Sequence, residues 1–378
     1  MKILIDIRLL NSKNFSGIGE YTLQGVKHIL ELDKKNEYIL FANSFFKHDI
    51  NIEIPKNAKI VNWRIPNIIF NLLNKFSLVP KIDTILKCDV LWSPHFNYLP
   101  VKNAKKIISI HDLSFLHYPQ FFTIKQRIWH KMQNIEFQIK NADIIISNSQ
   151  FTKKDIINTF KIREDKIFVI YPGISKTIQK ISQNSPELIK FKEKYKIDYP
   201  FILFLGTIEP RKNIDLIIKA FNILKEDSLF KEFKLIIAGG RGWLYKKTIK
   251  TIKESSFGKD ILLWGKIKEE EKSYLYNCSE YFIYPSFFEG FGFPPLEAQK
   301  CGKIAIISDR TSIAETSLAM PKINPWKPDE LYRAIKQISE NNNLRLKLEE
   351  EGIKNVSRFS WENFAKEMLS IFLNKNEV

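Results

Sequence analysis

The chain has 378 residues, 44% hydrophobic and 27% charged, with a formal net charge of +17. That length exceeds a typical single core and predicts two domains of ordinary size, and the composition is that of a globular protein. No run of about 18 apolar residues occurs, so no transmembrane helix is expected. The first residues, MKILIDIRLL, carry Asp6 and Arg8 inside an apolar run and read as a first strand, not a signal peptide. Cys88, Cys278 and Cys301 have no metal or redox spacing and read as small core residues in a reducing cytosol. The positive charge calls for nucleic acid, an anionic membrane surface or a lysine-rich composition. With no zinc spacing, basic amphipathic run or RNA-binding aromatic motif, no nucleic acid is expected, whereas polybasic faces suit anionic lipid.

The first half alternates short apolar strands with helical stretches, the pattern of a parallel sheet covered on both faces. After a strand at 2–7, Asn14-Phe15-Ser16-Gly17-Ile18-Gly19-Glu20-Tyr21 reads as a flexible loop leading into an amphipathic helix to about residue 32. Gly17 and Gly19 would let a phosphate or sugar approach a helix N-terminus, or would simply serve a loop that needs positive φ. Thr22 stands where the third glycine of a dinucleotide fingerprint would be. Strands follow at 38–42, 59–63, 89–92 and 106–110. The stretch 67–87, apolar with interspersed lysines and interrupted by Pro80, reads as a helical pair on the sheet, with a membrane- or acceptor-facing surface as the alternative. His111 follows the strand 106–110 directly, where ligands of open α/β sheets bind, and is singled out of the six histidines. His95, in the preceding loop, is a second candidate. A helical stretch at 124–140, a strand at 143–147, a helix capped at Asn148-Ser149 and a strand at 166–171 complete the half. Polar, lysine-rich 174–198 reads as a linker.

The second half restarts the alternation with a wholly apolar strand at 201–205. It ends at Gly206-Thr207-Ile208-Glu209-Pro210-Arg211-Lys212-Asn213, before an amphipathic helix at 214–224. Two cations beside a helix N-terminus oppose its dipole unless an anion is present, so Arg211 and Lys212 read as an anion clamp. Strands are expected at 233–238, 260–264, 281–284 and, as the last, 303–308. After the strand at 281–284 come Gly290 and Gly292, Pro294-Pro295, and a short helix closed by Gly302. A strand, a Gly-rich turn and a helix N-terminus present backbone N–H groups to an anion. Glu289 and Glu297 flank that turn. Carboxylates would repel phosphate, so they read as acceptors for sugar hydroxyls on either side of it.

Glu289-Gly290-Phe291-Gly292-Phe293-Pro294-Pro295-Leu296-Glu297 resembles the E-x7-E motif of retaining family 4 glycosyltransferases, and similar motifs run in the same order along nearly the whole chain. The resemblance implies an α/β, GT-B fold: two Rossmann-like, doubly wound domains facing a central cleft. It implies an acceptor-side domain at 1–173, the linker at 174–198, a nucleotide-sugar-binding domain at 199–357 and a helix at 358–378 crossing back to the first domain. Glu289 and His111 would then meet the donor sugar, Arg211 and Lys212 its diphosphate, and Glu297 the ribose. Gly290, Phe291, Gly292 and Phe293 would line the donor site, Lys266 and Ile267 would meet the nucleobase, and Gly17 and Gly19 would approach from the other domain. Cleft closure would exclude water. The segment 311–323 departs from the family pattern, lacking its usual Gly-containing turn.

The function this implies is retaining transfer of a sugar, mannose from GDP-mannose, to a cell-surface glycan or glycolipid acceptor, with no metal and no other cofactor. The expected place is the cytoplasm, peripheral on the inner face of the cell membrane. The alternatives are another GT-B sugar-nucleotide enzyme, such as a 2-epimerase, and a non-catalytic sugar-nucleotide-binding scaffold.

Overall fold

Apolar runs with no alternation belong in strands buried on both faces, and two all-parallel sheets take them up in the computed structural model, which describes residues 1–11, 17–44, 52–65 and 81–373. The first sheet contains β1 (Lys2–Asp6), β2 (Glu37–Ala42), β3 (Ala58–Asn62), β4 (Val90–Ser93), β5 (Lys105–Ile110), β6 (Ile144–Ser147) and β7 (Ile167–Val169), in the order β3-β2-β1-β4-β5-β6-β7. The second contains β8 (Phe201–Leu205), β9 (Lys234–Ala238), β10 (Ile261–Gly265), β11 (Tyr281–Tyr284), β12 (Ala305–Ser308) and β13 (Lys322–Ile323), in the order β10-β9-β8-β11-β12-β13. Each order reverses once, between β1 and β4 in the first sheet and between β8 and β11 in the second. These are the doubly wound Rossmann-like sheets expected of the GT-B fold, and each reversal is a switch point where strand ends leave a crevice.

The chain divides into two compact units. One comprises Met1–Leu113, Ile128–Gly173 and Phe359–Val378; the other comprises Ser114–Arg127 and Ile174–Arg358. Within the first, the terminal helix Trp361–Phe372 buries Trp361, Phe364, Met368 and Phe372 and packs on the helix Gly17–Leu32. Two glycines allow this. A Cβ on Gly173 would lie 2.1 Å from the Trp361 nitrogen, and one on Gly25 would lie 2.9 Å from the Phe364 ring. The Ser360 hydroxyl caps the helix by accepting from the Asn363 N–H.

Several expectations change. The helix begins at Gly17, so Gly17 and Gly19 occupy its first turn and not a loop; Asn14 to Ser16 lie outside the described residues. Of 67–87, residues 67–80 also lie outside them, and Ile82–Leu86 is helical. The stretch 124–140 breaks at Asn134, whose φ of 46° divides Ile124–Gln133 from Ile135–Lys140. Residues 174–198 carry a helix, Pro186–Tyr195, capped by the Ser185 hydroxyl and seated by Leu188 and Phe191. The strand at 305–308 is not the last, because Lys322–Ile323 adds a short edge.

Candidate active site

The two loops that leave the β8–β11 switch point carry Arg211, Lys212 and Glu289. After β8 the chain makes a single helical turn, Pro210–Lys212, and Asn213 takes the left-handed conformation at φ 55° before the helix Ile214–Glu226. Asn213 holds this loop by donating through its amide to Pro285 O and Pro325 O, at 3.2 and 2.6 Å. After β11, Glu289 comes alongside. Arg211 donates through Nη1 to Glu289 Oε2 at 3.0 Å and to Phe288 O at 2.8 Å. It also donates through Nε and Nη2 to Glu209 Oε1, at 3.1 and 2.9 Å. Lys212 Nζ lies 2.6 Å from both Glu289 Oε1 and the Tyr284 hydroxyl. Arg211, Lys212 and Glu289 are thus one network, in which Lys212 and Glu289 are buried and Arg211 is half-buried.

Burial pushes the Glu289 carboxyl up, but the Arg211 and Lys212 charges outweigh it and hold the group below its ordinary value, so it is ionised at neutral pH. Two cations face two carboxylates, Glu209 and Glu289, and the cluster is close to neutral. Glu209 escaped the sequence reading, although it lies only two residues before Arg211. Nothing in its position announces that its side chain turns inward, where it is 3% exposed.

The turn after Glu289 is fastened from behind by the helix Thr311–Thr316. Glu289 N–H donates to the Thr311 hydroxyl, the Ser312 hydroxyl to Glu289 O, and the Thr316 hydroxyl to Phe291 O. Thr311 sits at φ +57°, a conformation that suits glycine, in the segment where the family's Gly-containing turn is missing. Gly292 has φ +92°, and a Cβ there would come within 2.4 Å of Ile313. It precedes the helix Phe293–Lys300. Pro294 and Pro295 have no N–H, so this helix start offers fewer backbone donors than an ordinary one, and an anion here depends more on Arg211 and Lys212.

Glu297, one turn into that helix, does not join the network. It is buried, and its Oε2 accepts from the Tyr276 hydroxyl at 2.7 Å. Gly290 and Phe291 are buried and Phe293 half-buried, with the Phe291 and Phe293 rings 5.0 Å apart. At the end of β10, Gly265 takes φ +69°; Lys266 is exposed and Ile267 half-buried. A cavity of about 310 Å³ in this unit is lined by Glu209, Asn213, Phe287 and Trp326, among others; Arg211, Lys212 and Glu289 are not on its wall.

In the first unit the candidates gather near the β1–β4 switch point. His111, at the end of β5, donates through Nε2 to Pro94 O at 2.7 Å and meets the Tyr21 ring edge-on at 4.6 Å. Burial pushes its pKa down, so it is neutral at pH 7. Asp6 and Arg8, noticed in the sequence only as charges in an apolar run, form a buried forked pair, with Arg8 Nε 2.9 Å from Oδ1 and Nη2 2.6 Å from Oδ2. His95 lies against them, Nε2 3.6 Å from Asp6 Oδ2, and its pKa is pushed down to about 4 by burial, against the pull of Asp6.

The profile described as Glycosyltransferase Family 4 matches residues 26–177, and that described as Glycosyl transferases group 1 matches 186–355. The O-antigen chain mannosyltransferase B of Escherichia coli is 27% identical, over 94% of this chain and 96% of its own length. An uncharacterized glycosyltransferase of Methanocaldococcus jannaschii, MJ1178, is 30% identical over 68% of this chain and 67% of its own. Among solved structures, sucrose-phosphate synthase from Thermosynechococcus elongatus superposes with a TM-score of 0.79, at 17% identity, covering 99% of this chain and 98% of that one.

Proposed function

The chain belongs to the family 4 glycosyltransferases, and from that membership we propose that it moves mannose from GDP-mannose, with retention and without a metal ion, onto a lipid-linked cell-surface glycan. The observation that carries this reading is the meeting of Arg211, Lys212 and Glu289 at the β8–β11 switch point. In the transfer, an acceptor hydroxyl oxygen bonds to the anomeric carbon and gives up its proton to the departing phosphate oxygen. The bond from that carbon to the donor phosphate breaks, and the nucleoside diphosphate leaves with the electron pair. Charge therefore grows on the diphosphate, and Arg211 and Lys212 are the groups that stabilise it, each worth about 3 kcal/mol of barrier by analogy with other preorganised donors. No metal or other cofactor is needed for that role.

Glu289, ionised between the two cations, holds them apart and turns toward sugar hydroxyls when the diphosphate takes over their N–H groups. Glu297 with Tyr276 receives the ribose, and Lys266 and Ile267 flank the base. Neutral His111 keeps a fixed orientation through Pro94 O and offers a polar edge to the sugar, with Gly17 and Gly19 in the same unit. The mannosyl donor and glycan acceptor rest on likeness to the O-antigen mannosyltransferase. An enzyme acting on a lipid-linked glycan works at the inner face of the cell membrane, and its partner surface there is anionic lipid.

A thermal-shift panel of GDP, UDP, ADP and their sugar conjugates, with chelator and no metal, tests the donor site. A ligand at a hundred times its Kd stabilises the protein by about 2.7 kcal/mol. The expected result is a selective shift with GDP and GDP-mannose that Glu297→Ala reduces by half or more. A shift with another base would replace the donor, a shift only with added metal would remove metal independence, and no shift at all would overturn the site. The anomeric configuration of the isolated product, read by NMR, tests retention.

A further inference from the structure

The cavity of about 310 Å³ in the second unit is walled in part by a row of aromatic rings. Phe121 and Phe287 stack with ring centroids 5.4 Å apart and 23° between their planes, and Trp326 continues the row 5.4 Å from Phe287. Each ring is set from its backbone. Trp243 Nε1–H donates to Phe121 O, Phe287 N–H donates to Arg211 O at 2.9 Å, and the Asn213 amide holds Pro325 O next to Trp326. Pro210, Pro325 and Pro328 stiffen the same rim. Trp326 nevertheless stays 51% exposed, with the Arg310 guanidinium 4.3 Å from its ring centre. A fixed aromatic wall left open to water favours binding, because little ordering remains to be done when a ligand arrives.

The rest of the wall is largely polar. Glu209 is buried there, and Arg211 occupies only its Oε1; Oε2 accepts no hydrogen bond among the described residues. Asp215, in the first turn of the helix Ile214–Glu226, accepts from the Thr248 hydroxyl at 3.0 Å through Oδ1, and Lys247 Nζ lies 3.7 Å from its Oδ2. With Lys219, the lining carries two carboxylates and two ammonium groups, and so no net charge. That balance offers a phosphate no net attraction, and Asp215 already answers the helix dipole. The volume is at the small end for a ligand cavity, room for about one substituted six-membered ring. A neutral polyhydroxyl ring suits this wall. Its C–H face lies on the negative face of an aromatic system, and the hydroxyls round its edge donate to carboxylate lone pairs. We propose that the cavity is a carbohydrate subsite, which holds a pyranose residue of the acceptor glycan other than the one that reacts. The inference rests on the glycan-transfer reading and deepens it by giving the acceptor chain a second point of attachment. Glu209 joins this place to the Arg211 network, since it binds Arg211 with one oxygen and lines the cavity. The sequence reading passed over Phe121, Phe287 and Trp326, which lie in three segments that only the fold brings together.

The test reads Trp326 directly, by NMR of the full chain isotope-labelled at tryptophan nitrogen. The Trp326 indole N–H signal is the one lost in Trp326→Phe. Methyl α-mannopyranoside should move that signal saturably, while glucitol, which has the hydroxyls but no ring, and inorganic phosphate should not. Asp215→Asn should weaken the response about tenfold. In transfer assays Trp326→Ala should raise KM for α-linked mannotetraose about tenfold at unchanged kcat. The same variant should change KM for methyl α-mannopyranoside by less than about twofold and should melt as the wild type does. Trp326→Phe, which keeps an aromatic face, should recover most of the loss. A signal that the mannoside does not move, in a chain that transfers mannose to both acceptors, overturns the subsite and leaves the transferase reading standing. Movement by phosphate or by glucitol overturns it too, since neither presents a pyranose ring. An equal rise in KM for both acceptors would put Trp326 against the reacting sugar, and no separate subsite would remain. If the signal responds to the mannoside but the chain transfers sugar to neither acceptor, the carbohydrate site stands and the glycan-transfer reading falls.

Discussion

Replacing Arg211 removes two things at once, and the structure separates them. Its guanidinium pairs with Glu209 and with Glu289, and Glu289 keeps Lys212 when Arg211 is gone. Glu209 keeps only the longer-range attraction of Lys212, with no hydrogen bond from it. It is buried, and both of its side-chain hydrogen bonds come from Arg211. Stripping one partner from a buried pair costs about 3 kcal/mol or more, because the remaining charge is left without compensation. Arg211→Ala should therefore lower the melting temperature by roughly 6–12 °C, at the 2–4 °C per kcal/mol of a domain this size. Removing a transition-state donor should independently lower kcat by about 10²–10³ with KM changed far less. The double variant Glu209→Gln/Arg211→Ala takes the stranded charge away. It should recover most of the lost melting temperature and none of the lost kcat. Differential scanning calorimetry and steady-state transfer assays on wild type, both singles and the double complete the cycle. A double variant with wild-type kcat would refute the clamp, and one as unstable as Arg211→Ala would refute the stranded carboxylate.

Other outcomes follow from single contacts. Tyr276→Phe should raise the Kd for nucleotide by less than Glu297→Ala, which loses a charged acceptor worth about 1.5–3 kcal/mol and should bind about 10–100-fold more weakly by calorimetry. Gly292→Ala puts a Cβ 2.4 Å from Ile313 at a φ of +92°, so it should destabilise the protein by at least about 1–2 kcal/mol in chemical denaturation and disturb the Glu289 turn enough to depress kcat. His95 titrates at about 4 in the fold against an ordinary 6.5, so the unfolded chain holds the extra proton between those values. Its contribution is complete above pH 6.5 and is lost as pH falls through about 4, a change of about 3 kcal/mol. His95→Gln should flatten that limb of the stability–pH curve, and an unchanged limb would remove His95 as its cause.

The strand pattern was legible because parallel strands buried on both faces are continuous apolar runs, as in Phe201-Ile202-Leu203-Phe204-Leu205. The loops after β8 and β11 were legible because cations before a helix, and glycines with prolines after a strand, each break a local rule. That Arg211, Lys212 and Glu289 share one network was not, since Lys212 and Glu289 are 77 positions apart in the chain and only the strand order makes β8 and β11 neighbours. The meeting of Asp6, Arg8 and His95 was unreadable for the same reason: β1 and β4 are adjacent in space across the switch point. Thr311 shows the limit of motif reasoning. The missing glycine looked like a departure from the family, yet the backbone reaches the left-handed conformation without it, and the hydroxyl that glycine lacks holds the Glu289 N–H.

The two carboxylates beside Arg211 and Lys212 also bear on which anions the site admits. A chain with seventeen surplus positive charges attracts every polyanion nearby. An open pair of cations would be filled by inorganic phosphate or by any stray phosphoester. Here each cation already has an internal anion, so a newcomer must displace a well-placed carboxylate before it gains anything. A lone phosphate offers little beyond what Glu209 and Glu289 supply. A ligand that also brings a ribose to Glu297 and a sugar to the Glu289 turn gains enough elsewhere to make the exchange favourable. The near-neutral cluster thus works as a threshold, set against abundance and open to a ligand that binds at several points at once.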